Sequence, residues 1–469
     1  MRILLGLLSL PLLMSAPAQA ISLDWTGGYR IEYTEIDRPT LATEKDRKSY
    51  GLNYLYLNPK VMASDGIDIV GRFDVFASDI DGYRNSQMGS LIGGGLSRTG
   101  HNNGANVTAE SPESSLLRVS QLYMTVKQEN AVFVAGRAPV DFGLGITHNA
   151  GLGAFDHWYN NEDLVSYRFF VDNVSFMPMI GKVAQKDFGQ GVTVTDEAFV
   201  LEYDNKDNGA KAGVFYQLRN SSLESNDAPG TLVNGSPTVG SPWSTKTVNL
   251  FFGRSWEAFQ FKLEASFLTG DTGLINTTTS ESVKFNAYAV AAEVLFPAQE
   301  ASKWEWSAKL GVASGDNPST TGVIEGYQMD RNYDVAMLLF NHRMGQADFL
   351  TTKMIHQDPA LTVGHSADDE AIGNAMYLAP SLKYQWNEKT DLKTTLVYAQ
   401  LMVNPTSSVD TSKDLGTELD MELIYKPREK VIWSNQIGVF FPGEAWKDGS
   451  SGYDNKMNFG LATKAAITF

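Results

Sequence analysis

Apolar and polar residues alternate with a period of two in segments of about ten residues, and this pattern recurs along the whole chain. In the first such segment one row carries Leu23, Trp25, Tyr29, Ile31 and Tyr33, and the other carries Asp24, Thr26, Arg30, Glu32 and Thr34. The alternation returns at 259–267, 304–312, 418–425 and 457–469. Successive side chains of a β-strand point to opposite faces, so each segment predicts a strand with one apolar and one polar face. The chain is therefore expected to be all-β.

A soluble β-sandwich and a membrane β-barrel both contain alternating strands, and two features favour the barrel. Many apolar rows carry aromatic residues toward their ends, as the interfacial girdles of membrane barrels do. The connections also differ sharply in length. Short ones occur near Asp65 and Gly66, Glu129 and Asn130, Asp172 and Asn173, Asn205 to Gly209, Ser255 to Ala258, Pro297 to Ser302, Asn387 to Thr390, and Pro427 to Glu429. Long ones span 79–115, 142–163, 219–243 and 314–373.

Short periplasmic turns and long outer loops are typical of a transmembrane, antiparallel, up-and-down β-barrel of the outer membrane. Eight short turns, with both chain ends on the periplasmic side, predict nine outer loops and about 18 strands, with 16 to 20 as the range. The apolar run Val335 to Phe340 leaves three interpretations open. It is another strand, a short helix, or a segment that plugs the barrel.

The N-terminus has the pattern of a secretory signal peptide. Arg2 precedes an apolar stretch from Ile3 to Met14, and Ala18, Gln19 and Ala20 form a small-x-small cleavage site. We expect residues 1–20 to be a cleaved signal peptide and residues 21–469 to form the barrel. The apolar stretch is shorter than the roughly 20 residues that a membrane-spanning helix needs, and no run of about 18 follows it.

Composition excludes several function classes. The chain has no cysteine, which rules out disulfides and cysteine-ligated metals, and its net charge of −16 makes it a poor nucleic-acid binder. The histidines fall in predicted loops without metal spacing, so no metal and no cofactor is expected; they are His101, His148, His157, His342, His356 and His365. Asp79, Asp81 and Gly82 lack the later carboxylate of a calcium loop. No nucleophile motif such as G-x-S-x-G occurs, and no catalytic residue is predicted.

Charged residues on the polar rows are candidates for the pore lining, because lumen charges steer solutes and replace part of their hydration. A basic wall is predicted on the first strands from Arg30, Arg72, Arg118, Arg137 and Arg168, accompanied by Glu32 and Asp74. The closing strands carry an acidic wall of Glu418, Asp420 and Glu422. Opposed walls would create a transverse field that favours polar solutes. Alternatively, these residues form salt bridges that stiffen the barrel.

The stretch from Phe142 to Asp163 is a candidate constriction loop. Gly143, Gly145, Gly151 and Gly153 would let it fold inward, and its polar and stacking groups are His148, Asp156, His157 and Trp158. An ordinary outer loop is the alternative. Asp156 and His157 resemble the acid and base of a surface protease, but adjacent residues on a strand point apart.

Five motifs of the C-terminal third carry a family resemblance. They are Gly416–Thr417–Glu418–Leu419–Asp420–Met421, Tyr425–Lys426–Pro427, Phe440–Phe441–Pro442–Gly443, Gly315–Asp316–Asn317–Pro318 and Asp330–Arg331–Asn332–Tyr333–Asp334. Together they resemble the alginate-export-type outer-membrane barrels. The resemblance implies an 18-stranded monomer that passes an anionic polysaccharide through a pore rich in arginine and lysine. The predicted lumen rows of this chain depart from that picture because they carry many carboxylates.

These observations predict a passive outer-membrane channel of porin or exporter type rather than an enzyme. Its expected partners are outer-membrane lipid and lipopolysaccharide, the barrel-insertion machinery that recognises a terminal aromatic such as Phe469, and small polar solutes or a polysaccharide. The barrel is expected to be a monomer or a homotrimer. An outer-membrane hydrolase and a surface adhesin or structural barrel with a blocked lumen are the alternatives.

Overall fold

The computed structural model describes residues 22–43, 47–75, 117–187, 190–224, 232–233, 236–240, 242–299, 302–345, 370–404 and 412–469, together with short strands at 86–87, 95–96 and 107–108. Several predictions concern residues outside these ranges. They are the signal peptide, the segment Asp79–Gly82 with its incomplete calcium-loop pattern, and the histidines His101, His356 and His365.

Eighteen antiparallel strands form a closed β-barrel. The strands are β1 (Ser22–Asp37), β2 (Arg47–Ser64), β3 (Ile67–Val75), β4 (Leu117–Gln128), β5 (Ala131–Pro139), β6 (Asn161–Val171), β7 (Val174–Asp187), β8 (Gln190–Asn205), β9 (Ala210–Glu224), β10 (Pro242–Ser255), β11 (Gln260–Asn276), β12 (Ser282–Phe296), β13 (Trp304–Ala313), β14 (Ala375–Asn387), β15 (Thr390–Leu401), β16 (Asp414–Tyr425), β17 (Val431–Pro442) and β18 (Asn458–Thr468). Each strand pairs with the next, and β18 pairs with β1 to close the barrel.

The predicted strand number and the eight short turns are confirmed. Each turn joins two consecutive strands, from Asp65–Gly66 between β2 and β3 to 426–430 between β16 and β17. Short additional elements decorate the long connections: strands Leu232–Val233, Ser236–Gly240 and Val323–Ile324, and a 3-10 helix at Glu444–Lys447. No helix within the described part of the chain is long and apolar enough to cross a membrane.

The two faces of each strand differ in exposure as the alternation predicts. On β1, Tyr29 and Tyr33 expose 39% and 47% of their surface. Arg30 and Glu32, which lie between these tyrosines in the sequence, expose 4% and 2%. The outward apolar row is the surface that lipid covers, and its exposed aromatics include Trp25, Trp304, Trp306 and Trp433. The polar row faces the interior.

The interior of the barrel also contains an apolar core. It is built from the inward faces of the wall strands and from a segment of the connection between β13 and β14 that includes Tyr327, Met329 and Phe340. Residues Val335 to Phe340 form turns in this core and are neither a strand nor a helix. Of the three interpretations of this run, the plug segment describes its position.

Candidate pore constriction

Two loops fold into the barrel and meet inside it. The first inner loop, residues 140–160, connects β5 to β6. The second inner loop, residues 325–345, belongs to the connection from β13 to β14. Both contact the inward rows of the wall, and the contacts between them define a candidate constriction.

Glu264 on β11 anchors the first inner loop. The backbone N–H of Leu144 donates to Glu264 Oε2 at 2.5 Å, and the hydroxyl of Thr147 donates to Oε1 at 3.3 Å. Gly143 makes the close approach feasible, because its φ is +64° and a Cβ there would lie 2.5 Å from Glu264 Oε2. A carboxylate with backbone donors is a strong, directional anchor.

Arg30 and Glu32 on β1 hold the other end of the first inner loop. Arg30 donates to the backbone oxygen of Asp156 at 2.7 Å and forms an ion pair with Glu32 at 2.8 Å. The ring Nε2 of His157 lies 2.9 Å from a carboxylate oxygen of Glu32. Burial lowers the pKa of His157 to about 4 although Glu32 opposes this shift, so the imidazole is neutral at pH 7 and donates to the carboxylate.

His148 packs against the wall, and among the described residues it has no ionic partner. Its ring centroid lies 4.4 Å from that of Phe215, and burial, assisted by the positive charge of Arg219, lowers its pKa to about 3. Asp156 caps a local turn, where its carboxylate accepts the N–H of Gly153 at 2.6 Å. The polar residues of the first inner loop therefore determine its own shape as well as its attachment to the wall.

Asn332 clasps the two inner loops together. Its side-chain oxygen accepts the backbone N–H of His157 at 3.2 Å and of Trp158 at 3.0 Å, and its amide donates to the carbonyl of Trp158 at 2.7 Å. Arg331 stacks on the Trp158 ring, with the guanidinium carbon 4.3 Å from the centroid. The loops form one interlocked unit.

Asp330 adds a second contact between the loops. It accepts the side-chain amide of Asn160 at 2.9 Å, and its N–H donates to the carbonyl of Ile146 at 2.8 Å. Burial raises the pKa of Asp330 to about 6. The stretch Asp330–Asp334, which carried part of the family resemblance, therefore forms the contact surface of the second inner loop.

The remaining predicted residues on the first strands occupy different surroundings. Arg72 is buried beside Asp74 at 3.1 Å and beside the Tyr54 hydroxyl at 2.7 Å, and it lies over the Tyr56 ring. Arg118 lies opposite Asp74 in the register of β3 and β4. Arg168 pairs with Glu202 at 3.0 Å. Arg72 and Arg168 therefore pair with neighbouring carboxylates of the wall.

Arg137 differs from the prediction because it lies on the outer face of the barrel. The register places it opposite Asp163 and Leu122, both exposed, and it forms a two-pronged ion pair with Asp163 at 2.7 and 2.8 Å. The strand Ala131–Pro139 has apolar residues on both faces, because Ala138 packs under Phe142 of the first inner loop. Alternation therefore could not show which face of β5 points inward.

The acidic residues of β16 contact the second inner loop. Glu418 accepts the backbone N–H groups of Leu338 and Leu339, and Asp420 accepts that of Met337. Glu422, farther along the strand, accepts the hydroxyl of Ser434 at 2.6 Å. Two of the three residues predicted as an acidic wall thus bind protein backbone.

Sequence reasoning missed the anchoring roles of Glu264 and Asn332. It also missed a buried network in which Arg219 binds Asp196 at 2.7 Å and lies 3.4 Å from Glu162. The sequence drew attention to Asn332 only through the similarity of the Asp330–Asp334 stretch to the family. Among the residues that the structure describes, no three His, Asp or Glu side chains are grouped to hold a metal ion.

Comparison with known families decides the identity of the barrel. The model of the alginate export family matches residues 198–459, which is more than half of the chain. The chain belongs to the alginate export family. The match covers the whole second inner loop and both anchoring residues Glu264 and Glu418, whereas the first inner loop and its anchors on β1 lie before the matched region.

Solved structures show the same fold at low sequence identity. Pseudomonas aeruginosa OccK9 (OpdG) superposes with a TM-score of 0.51 at 9% identity, over 95% of this chain and 98% of that one. OccK11 (OpdR) of the same organism gives 0.50 at 8% identity, over 95% and 96%. A search of curated proteins found no match. This alginate export family member is an outer-membrane channel for solutes.

Proposed function

We propose that this barrel is a passive channel whose two inner loops restrict passage to small polar solutes. The observation that carries the proposal is the interlocking of the loops inside the barrel through Asn332, Asp330 and Arg331. Because both loops are anchored to the wall, they narrow the lumen permanently unless an anchor releases. Solutes must then pass beside them.

Partly exposed ion pairs on the inward rows support a polar path. They are Arg168 with Glu202, Lys309 with Glu293 at 3.2 Å, and Lys383 with Glu305 at 2.6 Å. Groups of both signs at the edge of water favour polar over apolar solutes and give no strong preference for one charge. This mixed lining also agrees with salt bridges that stiffen the wall.

An extended anionic polysaccharide is the second candidate solute, and the family match favours it. The cations beside the constriction, Arg331 on Trp158 and Lys309 over the Tyr333 ring at 4.8 Å, offer stacking and charge to a sugar acid. An extended chain would need a continuous path past both inner loops. Because both inner loops are attached to the wall, we favour small polar solutes over the polysaccharide.

We further propose that the barrel has no catalytic activity. The two histidines of the first inner loop have structural roles, since His157 binds Glu32 and His148 packs on Phe215. Both roles depend on a neutral, buried imidazole. The adjacent Asp156 is committed to the Gly153 turn.

Swelling of liposomes that contain the purified barrel tests these proposals. Neutral sugars of increasing size should enter at rates that fall steeply beyond a single sugar ring, and short uronate oligomers should enter slowly. Equal entry of monosaccharides and long oligomers would contradict the size limit. A barrel that is silent in bilayers but hydrolyses peptide or ester substrates would favour the hydrolase, and silence without hydrolysis would favour the blocked structural barrel.

A further inference from the structure

The turn at residues 335–344, here called the plug turn, meets two carboxylates of the wall through consecutive backbone donors. Met337 N–H donates to Asp420 at 3.0 Å, Leu338 N–H to one oxygen of Glu418 at 2.7 Å, and Leu339 N–H to the other at 2.8 Å. Glu418 has no exposed surface. Three successive N–H groups that converge on carboxylates resemble an anion nest, and such bonds are strong in a dry interior.

The wall beneath the plug turn is lined with small residues. Gly438 on β17 pairs directly with Gly460 on β18. A Cβ at Gly460 would lie 2.7 Å from Leu338 Cδ2, and one at Gly438 would lie 3.1 Å from the Met337 sulfur. Larger side chains at these positions would displace the turn. The wall is therefore shaped as a seat for the turn.

The plug turn itself is a compact unit that does not join the sheet. Its chain closes on itself through the N–H of His342, which donates to the carbonyl of Leu338 at 3.0 Å. Leu338, Leu339 and Phe340 expose at most 3% of their surface. These apolar side chains pack on the wall because burial removes their surface from water. The carboxylates of Glu418 and Asp420 orient the turn on its seat.

We propose that the plug turn is a movable plug and that Glu418 and Asp420 are the positioning residues that latch it on the glycine-lined seat. Release of the latch lets the turn leave the wall and widens the channel, which would admit a bulkier or longer solute than the seated state. The inference rests on the proposed channel function. It assigns to the acidic residues of β16 a mechanical role in place of a direct contact with solute.

Single-channel recording of Glu418→Gln tests the latch. The amide of glutamine presents a donor where the second carboxylate oxygen accepted an N–H, so at least one bond is lost and two donors face each other. A buried N–H that loses its acceptor shifts an equilibrium by roughly one to two factors of ten. The wide state, in which the plug turn has left the wall, should therefore be populated roughly 10- to 100-fold more often than in the wild type. Glu422→Gln makes the same carboxyl-to-amide change on the same face of β16 at a residue that binds Ser434 and not the plug turn, and it should behave as the wild type.

A reversible lock provides a second test that does not depend on the stability of the Glu418 variant. The chain contains no cysteine, so a Leu338→Cys, Gly460→Cys pair introduces the only thiols. Oxidation should hold the turn on its seat and abolish wide openings, and reduction should restore and increase them, because the leucine side chain has been lost. Heat-modifiable electrophoretic mobility reports whether each variant forms a barrel.

The outcomes separate the two proposals. The plug would be established by three results together. The wild-type barrel conducts, Glu418→Gln shows frequent wide openings, and oxidation of the cysteine pair abolishes wide openings. If the wild-type barrel conducts but Glu418→Gln behaves like Glu422→Gln and oxidation has no effect, the plug proposal is wrong. The proposed channel function is then unaffected. Folded barrels that are silent in the wild type and in every variant would overturn both.

Discussion

The two inner loops are held by the same chemistry but differ in what fills the space between the anchors. In each, a buried glutamate of the wall, Glu264 or Glu418, accepts backbone N–H groups of the loop. The first inner loop is also tied by Arg30 and by the clasp to Asn332. The plug turn of the second relies instead on apolar packing against a smooth wall. The comparison shows that a buried lumen carboxylate can serve loop position as well as solute selection.

The difference also predicts different modes of release. Hydrogen bonds and ion pairs that are distributed along the first inner loop must break at several places before it leaves the wall. The plug turn can leave as a unit once its latch opens, because its apolar contacts are not directional. We therefore expect the first inner loop to be the fixed part of the constriction and the plug turn to be its adjustable part.

Glu264→Ala should have the largest effect on the first inner loop. It leaves the N–H of Leu144 and neighbouring donors unpaired inside the barrel, at a cost of roughly 1–3 kcal/mol for each. An Ala150→Cys reporter, buried in the parent, should then react faster with a water-soluble maleimide. Glu305→Ala removes another inward carboxylate, one paired with Lys383, and should leave the labelling rate unchanged. Equal rates in both variants would show that Glu264 does not anchor the loop.

Acidification should weaken the first inner loop through its two buried histidines. The unfolded chain takes up a proton on each near pH 6.5, whereas the folded barrel does so only near pH 4 at His157 and pH 3 at His148. At these two sites the unfolded state therefore binds more protons in this window, and their contribution to the free energy of unfolding falls as the pH drops from about 6.5 to 4. For His157 the loss is on the order of 3 kcal/mol.

Urea unfolding at pH 7 and at pH 5 measures this dependence. A His148→Asn, His157→Asn double variant should lose less stability between the two pH values than the wild type. NMR titration of the ring signals, assigned with the single variants, should show both histidines neutral at pH 5. Titration of both near pH 6.5 would place them in water and contradict the buried position of the loop.

Asn332→Ala should have a smaller effect, which tests whether the loops act as one unit. Three hydrogen bonds of roughly 0.5–1.5 kcal/mol each disappear, while Asp330 and Arg331 keep part of the contact. We expect increased current noise with little change in mean conductance. Asn317→Ala, which loses the side-chain bonds to the N–H and hydroxyl of Ser319, is the matched control. Noise that rises equally in both variants would argue against a clasp.

Arg137→Gln should have the smallest effect of all. Arg137 faces outward with Asp163, so its charge lies outside the conduction path. Reversal potentials in a salt gradient should match those of the wild type, whereas Arg72→Gln, on the inward row, should shift them toward cation preference. An equal shift in both variants would mean that the register of β5 is misassigned.

The fold could be predicted from the sequence because lipid and water impose a strict two-residue period on most strands. Strand number followed from eight recognisable turns, such as Asp65–Gly66 and Asp172–Asn173. The prediction of Arg137 failed where that period carries no information, since β5 is apolar on both faces. Where an inner loop covers the wall, the inward face of the strand is apolar as well. The alternation of apolar and polar residues then no longer shows which face points inward.

The candidate site was less predictable for a related reason. Glycine content pointed to the loop that contains His148 and His157, and the run Val335 to Phe340 was recognised as ambiguous. The partners of these loops are separated from them by many residues, as Leu338 is from Glu418 and Trp158 from Asn332. Local patterns do not encode such contacts. A buried carboxylate that binds backbone looks the same in sequence as one that lines a pore.

Conductance of a barrel without the first inner loop tests the central claim most directly. Residues 144–157 would be replaced by a short glycine–serine linker, which removes the Glu264 and Arg30 attachments and the bond from the His157 N–H to Asn332. If the inner loops set the pore size, single channels of this variant should conduct several times more current than the wild type and pass larger neutral sugars. A conductance and size limit unchanged from the wild type would show that the loops do not form the constriction.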